Sequence, residues 1–248
     1  PYTTLFRSHD LDFRTETSIF LFMEVLFAYW WLLIPAIVMG IFAQNRVKST
    51  YNTYSKQKMQ RNITGAQMAR HILDSNNLHN VTIEQVSGNL TDHYDPRSKT
   101  LRLSKNVHNG SSVAAMGIAA HETGHAIQHA GSYAPLAIRN SIYPVASFGS
   151  NLGPMLVIGG LFLGSIPVLI NIGIILFSFA VVFSLFTLPI EFNASNRAMS
   201  ILSGSGAMSR KELEGAQKVL SAAALTYVAS ALASVLTLIR LLLLSRSE

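Results

Sequence analysis

His121, Glu122 and His125 stand together in "AAHETGHAIQH", residues 119–129. On a helix, residues four apart lie about 40° from one another around the axis. His121 and His125 therefore face the same way and can offer two imidazole nitrogens to one ion. Glu122 sits about 60° from His125, so its carboxylate borders the ion's open position and can take a proton from water there. Two histidines and a glutamate in this H-E-x-x-H spacing are the constellation with which zinc makes water a nucleophile and polarises a scissile carbonyl. With 8 histidines in 248 residues, accident would produce the pattern in about one such chain in a hundred. The surroundings of the motif must therefore carry part of the argument.

A site with one open position needs a third protein ligand. His129 continues the same helical face, but its Cα lies about 12 Å along the axis from His121, too far for both to reach one ion easily from a straight helix. It reads as an orienting or structural residue outside the ligand set. Glu191, in "LPIEFNASNRA", is the better candidate. It is the first charge after 51 uncharged residues, and carboxylates at a membrane edge are expensive and usually functional. Ala194, Ser195 and Ala198 share its helical face and would let that helix come close.

The elements that must position these groups can be read coarsely. Thr64 precedes an amphipathic run with apolar residues at Met68, Ala69, Ile72 and Leu73, which predicts an N-capped helix. "VTIEQV" (81–86) has strand character. "NLTDHYDPRSKTLRLS" (89–104) reads as a hairpin turning at "DPRS". "NGSS" (109–112) then caps the helix that carries the motif.

Composition adds a bilayer to this picture. Hydrophobic residues make up 49% and charged residues 13%, about half the charge of an ordinary soluble domain. No cysteine is present, which excludes disulfides and thiolate metal sites. Val25–Ala43 is a first apolar run long enough to cross a membrane. Asn140–Ile190 is 51 uncharged residues. As one helix it would reach ~75 Å, so it must fold back, with "GSIP" (164–167) as the turn and spans near 145–163 and 168–190. Val219–Ile239 is a fourth uncharged run, rich in alanine and serine, which suits close helix packing in a membrane.

The flanks set the orientation. The segment 44–143 carries 11 Lys and Arg against 5 acids, and 191–218 adds Arg197, Arg210, Lys211 and Lys218, whereas the turn at 164–167 has none. Both basic segments belong on the cytoplasmic side. A net charge of +6 is explained by anionic lipid and calls for no nucleic acid.

The fold expected is mainly α with a small β-hairpin or sheet: a multi-pass transmembrane helical protein with a zincin-like metallopeptidase core. Residues 1–22 are expected to be a non-native extension, because "PYTTLFRS" reads as the translation of a sequencing-adaptor oligonucleotide and Met23 opens a natural membrane-protein start. Six segments follow: that extension, a first transmembrane helix over 23–44, a cytoplasmic zincin-like domain over 45–143, a transmembrane hairpin over 144–190, a helix with the third ligand over 191–218, and a C-terminal transmembrane helix over 219–248.

"KSTYNTYSK", "LTDHYDP", "AAHETGHAIQH", "YAPLAIRNSIYPV" and "TLPIEFNASNRA" together resemble the YugP-type neutral zinc metallopeptidases of bacteria. The likeness runs from Met23 to the C-terminus, and the plan is similar to that of HtpX-type membrane proteases. It implies one Zn2+ held by His121, His125 and Glu191, with Glu122 as general base, in a gluzincin-type site. There is one departure: HtpX-type enzymes have Asp four residues after the ligand glutamate, where this chain has Ser195, so the hydrogen bond orienting a zinc-binding histidine would be weaker or differently supplied. Candidates for stabilising the transition state or for orienting the site are His93, Tyr94, His129, Ser195, Arg197 and Tyr227. His93 and Tyr94 lie on the expected edge strand, which could also hold an extended substrate. The function expected is a bacterial membrane zinc endopeptidase with its site at the cytoplasmic face, acting on membrane-associated or unfolded polypeptides. The alternative is a zinc-binding membrane scaffold or holdase without turnover. A transporter using these ligands would need them in mid-span, and His121 lies in a polar segment.

Overall fold

The computed structural model describes residues 27–246. The extension expected at 1–22 and the first residues of the initial apolar run lie outside the described residues. A 3-10 turn at Trp30–Leu33 leads into α1 (Ile34–Tyr54). Then follow α2 (Gly65–Ser75), β1 (Thr82–Val86), β2 (His93–Asp95), β3 (Thr100–Ser104), the one-turn α3 (Lys105–His108), α4 (Val113–Ala130), α5 (Ala134–Phe162), α6 (Pro167–Gly204) and α7 (Arg210–Leu244). The protein is mostly helical with one small three-stranded sheet. It divides into two compact units: residues 38–141 with 184–230, and residues 27–37 with 142–183 and 231–246.

The first of these units is built from the polar segments of the chain. Thr64 and Gln67 form a reciprocal capping box at the start of α2, with Thr64 N–H donating to Gln67 Oε1 (2.9 Å) and Gln67 N–H to Thr64 Oγ1 (3.2 Å). The cap satisfies two otherwise unpaired donors, and the apolar stripe behind it, Met68, Ala69, Ile72 and Leu73, is buried. The expected hairpin is β2–β3, antiparallel, with Asp95 closing its turn by accepting from the Arg97 N–H and the Ser98 hydroxyl. The strand at 82–86 pairs parallel with β3, giving the order β1-β3-β2 and leaving β2 at one edge. Central β3 buries Leu101 and Leu103. They join Met68, Ile72, Leu73, Val107 and Met116 in a core that also takes in Ala198, Leu202, Ala216 and Leu220 from α6 and α7. Ser112 caps α4, its hydroxyl accepting from the Ala115 N–H at 3.2 Å. Ser209 and Glu212 cap α7 in the same reciprocal way, and Glu212 also accepts from the Gln60 N–H at 2.8 Å.

The second unit is apolar. Val157, Leu161, Ile170, Phe177, Ala180, Val181, Leu241 and Leu244 form its core. Between α5 and α6 the chain turns at Gly164 and Ser165, both with positive φ, and Ile166 N–H closes the turn onto Gly160 O at 2.9 Å. Gly149 and Gly153 on α5 meet α6 so closely that a Cβ on Gly153 would lie 2.8 Å from Phe177 Cβ and 2.9 Å from Gly173 O.

Among the described residues four helical stretches are long and apolar enough to cross a bilayer: Trp30–Tyr54, Ala134–Phe162, Pro167–Gly204 and Arg210–Leu244. The apolar run 219–239 is the middle of α7, whereas 145–163 falls in the C-terminal part of α5 and 168–190 in the N-terminal part of α6. Ile37, Val38, Ile41, Phe42, Phe148, Met155, Val168, Ile175 and Val182 are exposed. That much outward apolar surface is stable against lipid and not against water.

Candidate metal centre

α4 is the floor of the candidate site. Most of it is buried, and its Gly124 lets α6 approach until a Cβ there would sit 2.7 Å from Ala194 O. Ala194 and Ala198 on α6 are fully buried in this seam. The close approach brings Glu191 to the motif. One ligand atom from each of His121, His125 and Glu191 lies within 4.8 Å of the others. Glu191 Oε2 is 3.3 Å from His121 Nε2 and 3.4 Å from His125 Nε2. The two imidazole rings stand edge to face, with centroids 4.8 Å apart.

Whether these residues suit a metal can be judged from their hydrogen bonds. Each ring has its Nδ1 engaged: His125 Nδ1 with Gln128 Oε1 at 3.0 Å, and His121 Nδ1 with Ser195 Oγ at 3.1 Å. Both Nε2 atoms are thus turned to the third ligand. Among the described residues Glu191 Oε2 is buried without a hydrogen-bond partner, a state that costs about 1–3 kcal/mol for a polar group and more for a charge. Its sister oxygen, Oε1, accepts from Arg139 Nη1 at 3.3 Å. Electron-rich atoms gathered around one point, one of them an orphaned carboxylate oxygen, suit a cation with nitrogen and oxygen ligands. The residues present fit zinc.

Glu122 lies beside this cluster on the same helix. Burial pushes its carboxyl above the ordinary range, against the pull of His121 and His125, and the nearby Glu191 carboxylate pushes the same way as burial. For His125, burial favours the neutral ring, but the Glu191 and Glu122 carboxylates outweigh it and raise the imidazole. Tyr227 on α7 brings its hydroxyl to the Glu191 carboxylate and within electrostatic reach of Glu122 and Arg139.

The remaining candidates fall in different places. Ser195 contacts His121, as above. Arg197 Nε donates to Asn193 Oδ1 at 2.8 Å. His129 lies outside the ligand trio: its Nδ1 is 2.9 Å from Tyr94 Oη, a bond that ties β2 to α4. His93 is exposed on β2, with Nδ1 2.8 Å from Thr91 O, and the structure does not gather it with the others. Three polar neighbours of the cluster had drawn no attention as site residues: Gln128, Asn193 and Arg139. Gln128 is fully buried, and an amide between the apolar Ile127 and the motif's last histidine was the one signal available for it.

Comparisons with known proteins place the chain in a family. Residues 29–246 match the model of a family described as "Putative neutral zinc metallopeptidase". A relative from Bacillus subtilis (strain 168), named "Putative membrane protease YugP", is 50% identical over 213 residues, covering 86% of this chain and 94% of the relative. No solved structure matches the chain significantly. A match over nearly all of the described chain, together with that degree of identity, makes this membrane protein a member of the neutral zinc metallopeptidase family.

Proposed function

We propose that the protein is a membrane-bound endopeptidase of the gluzincin type, with one zinc ion held by His121, His125 and Glu191 and with Glu122 as general base. The observation that carries the reading is the meeting of the three ligand atoms within 4.8 Å around a buried, unpartnered carboxylate oxygen. When bound, zinc supplies the Lewis acidity that makes a water nucleophilic at neutral pH and polarises the scissile carbonyl. The Glu122 carboxylate takes a proton from the attacking water and hands it to the leaving amide nitrogen. Burial of Glu122 raises its affinity for that proton, which suits a group that must first accept and then donate. Arg139, by holding Glu191 Oε1, leaves Oε2 to face the imidazoles. The Tyr227 hydroxyl, beside the Glu191 carboxylate, is the donor we assign to the negative charge that develops on the carbonyl oxygen.

Substrate enters as an extended polypeptide. β2 is an edge strand packed against α4, and an edge offers backbone donors and acceptors to a chain laid beside it. The site faces the cytoplasm, since the segments flanking it carry the excess of Lys and Arg. Membrane-associated or unfolded polypeptides fit such a location.

The deciding experiment is Glu122→Gln in the full-length protein in lipid nanodiscs. Zinc content stays at the wild-type level, and cleavage of an unfolded polypeptide falls by at least about a thousandfold. Equal cleavage by the variant would end the assignment of Glu122 as base. Zinc uptake by the wild type without any cleavage would favour the scaffold reading. The chain has no cysteine, so single cysteines placed in 45–143 report the orientation directly: a membrane-impermeant thiol reagent labels them only after cells are opened.

A further inference from the structure

We infer that the buried amide of Gln128 is a positioning residue that locks His125 in one tautomer, with Nε2 bare and aimed at the ion, while His121 is left adjustable. This rests on the metal-binding reading above. It follows from hydrogen-bond bookkeeping that leaves only one solution.

Gln128 is 0% exposed and makes three contacts. One side-chain terminus lies 2.9 Å from Ile190 O and 2.9 Å from Asn193 Oδ1, and the other lies 3.0 Å from His125 Nδ1. A backbone carbonyl has no hydrogen to give, so the terminus facing Ile190 is the NH2 group. The terminus facing His125 is therefore the carbonyl oxygen, which can only accept. His125 Nδ1 must carry the proton. In the neutral ring Nε2 is then an unprotonated lone pair, and that atom is the one 3.4 Å from Glu191 Oε2.

A second fix points the same way. Arg197 Nε donates to Asn193 Oδ1 at 2.8 Å. An arginine has no acceptor, so the Asn193 atom shared by Arg197 and Gln128 is an oxygen, and Gln128 must present NH2 to it. Donation thus converges on Asn193 Oδ1, from Arg197 on one side and from His125 through Gln128 on the other. The Ile190 branch holds the backbone one residue before Glu191, so the same amide sets the spacing of two ligands on different helices.

His121 is held by an unlike device. Its Nδ1 meets the Ser195 hydroxyl at 3.1 Å, and a hydroxyl can donate as well as accept. Nothing in that contact chooses the tautomer. Of the two imidazole ligands, His125, one turn further on, is therefore the one whose tautomer is fixed. Neutral amide support also leaves the ring less basic than a carboxylate partner would.

The test uses the full-length protein in nanodiscs, zinc competition against a chromophoric chelator, the Co2+ d–d absorption spectrum, and 15N NMR of histidine-labelled, metal-free protein. Gln128→Leu keeps the volume and removes the acceptor. Zinc affinity falls about 10–100-fold, and the Co2+ spectrum changes intensity as the ligand field loosens. Gln128→Glu restores an acceptor for His125 Nδ1 while removing the NH2 that bonds Ile190 O and Asn193. Affinity returns to within a few-fold of wild type even though thermal stability drops. In the wild type, at a pH high enough for the ring to be neutral, the His125 resonances, assigned by their loss in His125→Asn, show a protonated Nδ1 and a bare Nε2, whereas His121 shows a mixture. If Gln128→Glu binds zinc as poorly as Gln128→Leu, Gln128 is only a tie between helices and the inference is overturned. It is equally overturned if His125 shows mixed tautomers, a result that does not depend on any Gln128 variant folding. A wild type that takes up no zinc overturns the metal reading itself. A zinc-binding wild type with unchanged Gln128→Leu affinity overturns this inference alone.

Discussion

Two helix seams in this protein use the same backbone device and fill it differently. Between α5 and α6, Gly149, Gly153 and Gly173 let the helices touch, and the space around them is taken by Val157, Ile170 and Phe177. Between α4 and α6, Gly124 meets Ala194, and the space beside them holds Glu191, Gln128 and the two motif histidines. Small residues at a contact are a general way to pack helices where lipid removes the hydrophobic drive for association. In the apolar seam they serve packing alone. In the polar seam every buried group must find a partner, and Gln128 finds three. Glu191 Oε2 has no hydrogen bond among the described residues and faces only the two imidazole Nε2 atoms, at 3.3 and 3.4 Å. The contrast teaches that close packing does not make a site. The unsatisfied atom within a satisfied network does.

The largest way to break this contrast is to remove that atom. Glu191→Ala should take zinc content from about one equivalent to near zero, because two imidazoles alone seldom hold the ion, and should abolish cleavage with it. Metal analysis after gel filtration reads the outcome. Retention of a full equivalent would mean that the ion, if any, lies elsewhere.

A smaller and sharper comparison sets one glycine against the other. Gly124→Val would push a side chain into Ala194 O, and Gly153→Val would push one into Gly173 O and Phe177 Cβ. Each overpacks a closed contact and should lower stability by about 1–3 kcal/mol, seen as a lower midpoint of thermal unfolding in detergent. Only Gly124→Val should also weaken zinc binding, since only that seam sets the distance between ligands on two helices. Equal loss of zinc in both variants would show that the effect is general loosening.

What the sequence made legible follows from how far each feature depends on its neighbours in the chain. The H-E-x-x-H spacing, the caps at Thr64 and Ser112, the turn at 164–167 and the 89–104 hairpin are all local, and a periodicity or a turn residue betrays them. Glu191 could be picked out from 66 residues beyond His125 because a first charge after a long apolar run is conspicuous. The network that steadies the ligands was not legible. Gln128, Asn193 and Arg139 look like any polar residues on a helix. Their meaning lies in partners 62, 65 and 52 residues away, which no period in the sequence records. The parallel pairing of β1 with β3 was hidden for the same reason. Nor was it legible that the span expected over 168–190 and the start of the ligand helix expected from 191 are one unbroken helix, α6, running from Pro167 to Gly204.

The smallest effect concerns the same contrast between buried and accessible polar groups, within one hairpin. Asp92 is drawn inward, accepting from the Ser104 N–H at 2.7 Å and the Ser104 hydroxyl at 3.0 Å. Burial nevertheless pushes its carboxyl up. Asp95, near the surface, accepts from the Ser98 hydroxyl, the Arg97 N–H and Arg102, and these bonds lower it to about 2. The two carboxylates therefore act oppositely on stability. For Asp95 the folded value lies below the unfolded value of about 3.9, so its contribution is present above that value and is lost as pH falls toward about 2. For Asp92 the folded value is the higher one, so its contribution is present at low pH and is lost as pH rises through that value. Solvent screening keeps the Asp95 contribution below about 1 kcal/mol. Hydrogen exchange of the β2–β3 amides between pH 5 and pH 2 measures it. Asp95→Asn should lower protection at pH 5 and remove most of the acid-induced loss. Asp92→Asn, which keeps an acceptor for the Ser104 N–H without a buried charge, should leave protection at pH 5 unchanged or higher. If both variants lost protection at pH 5 alike, the Ser104 bonds to Asp92 would have to depend on its charge, and burial would not be what distinguishes the pair.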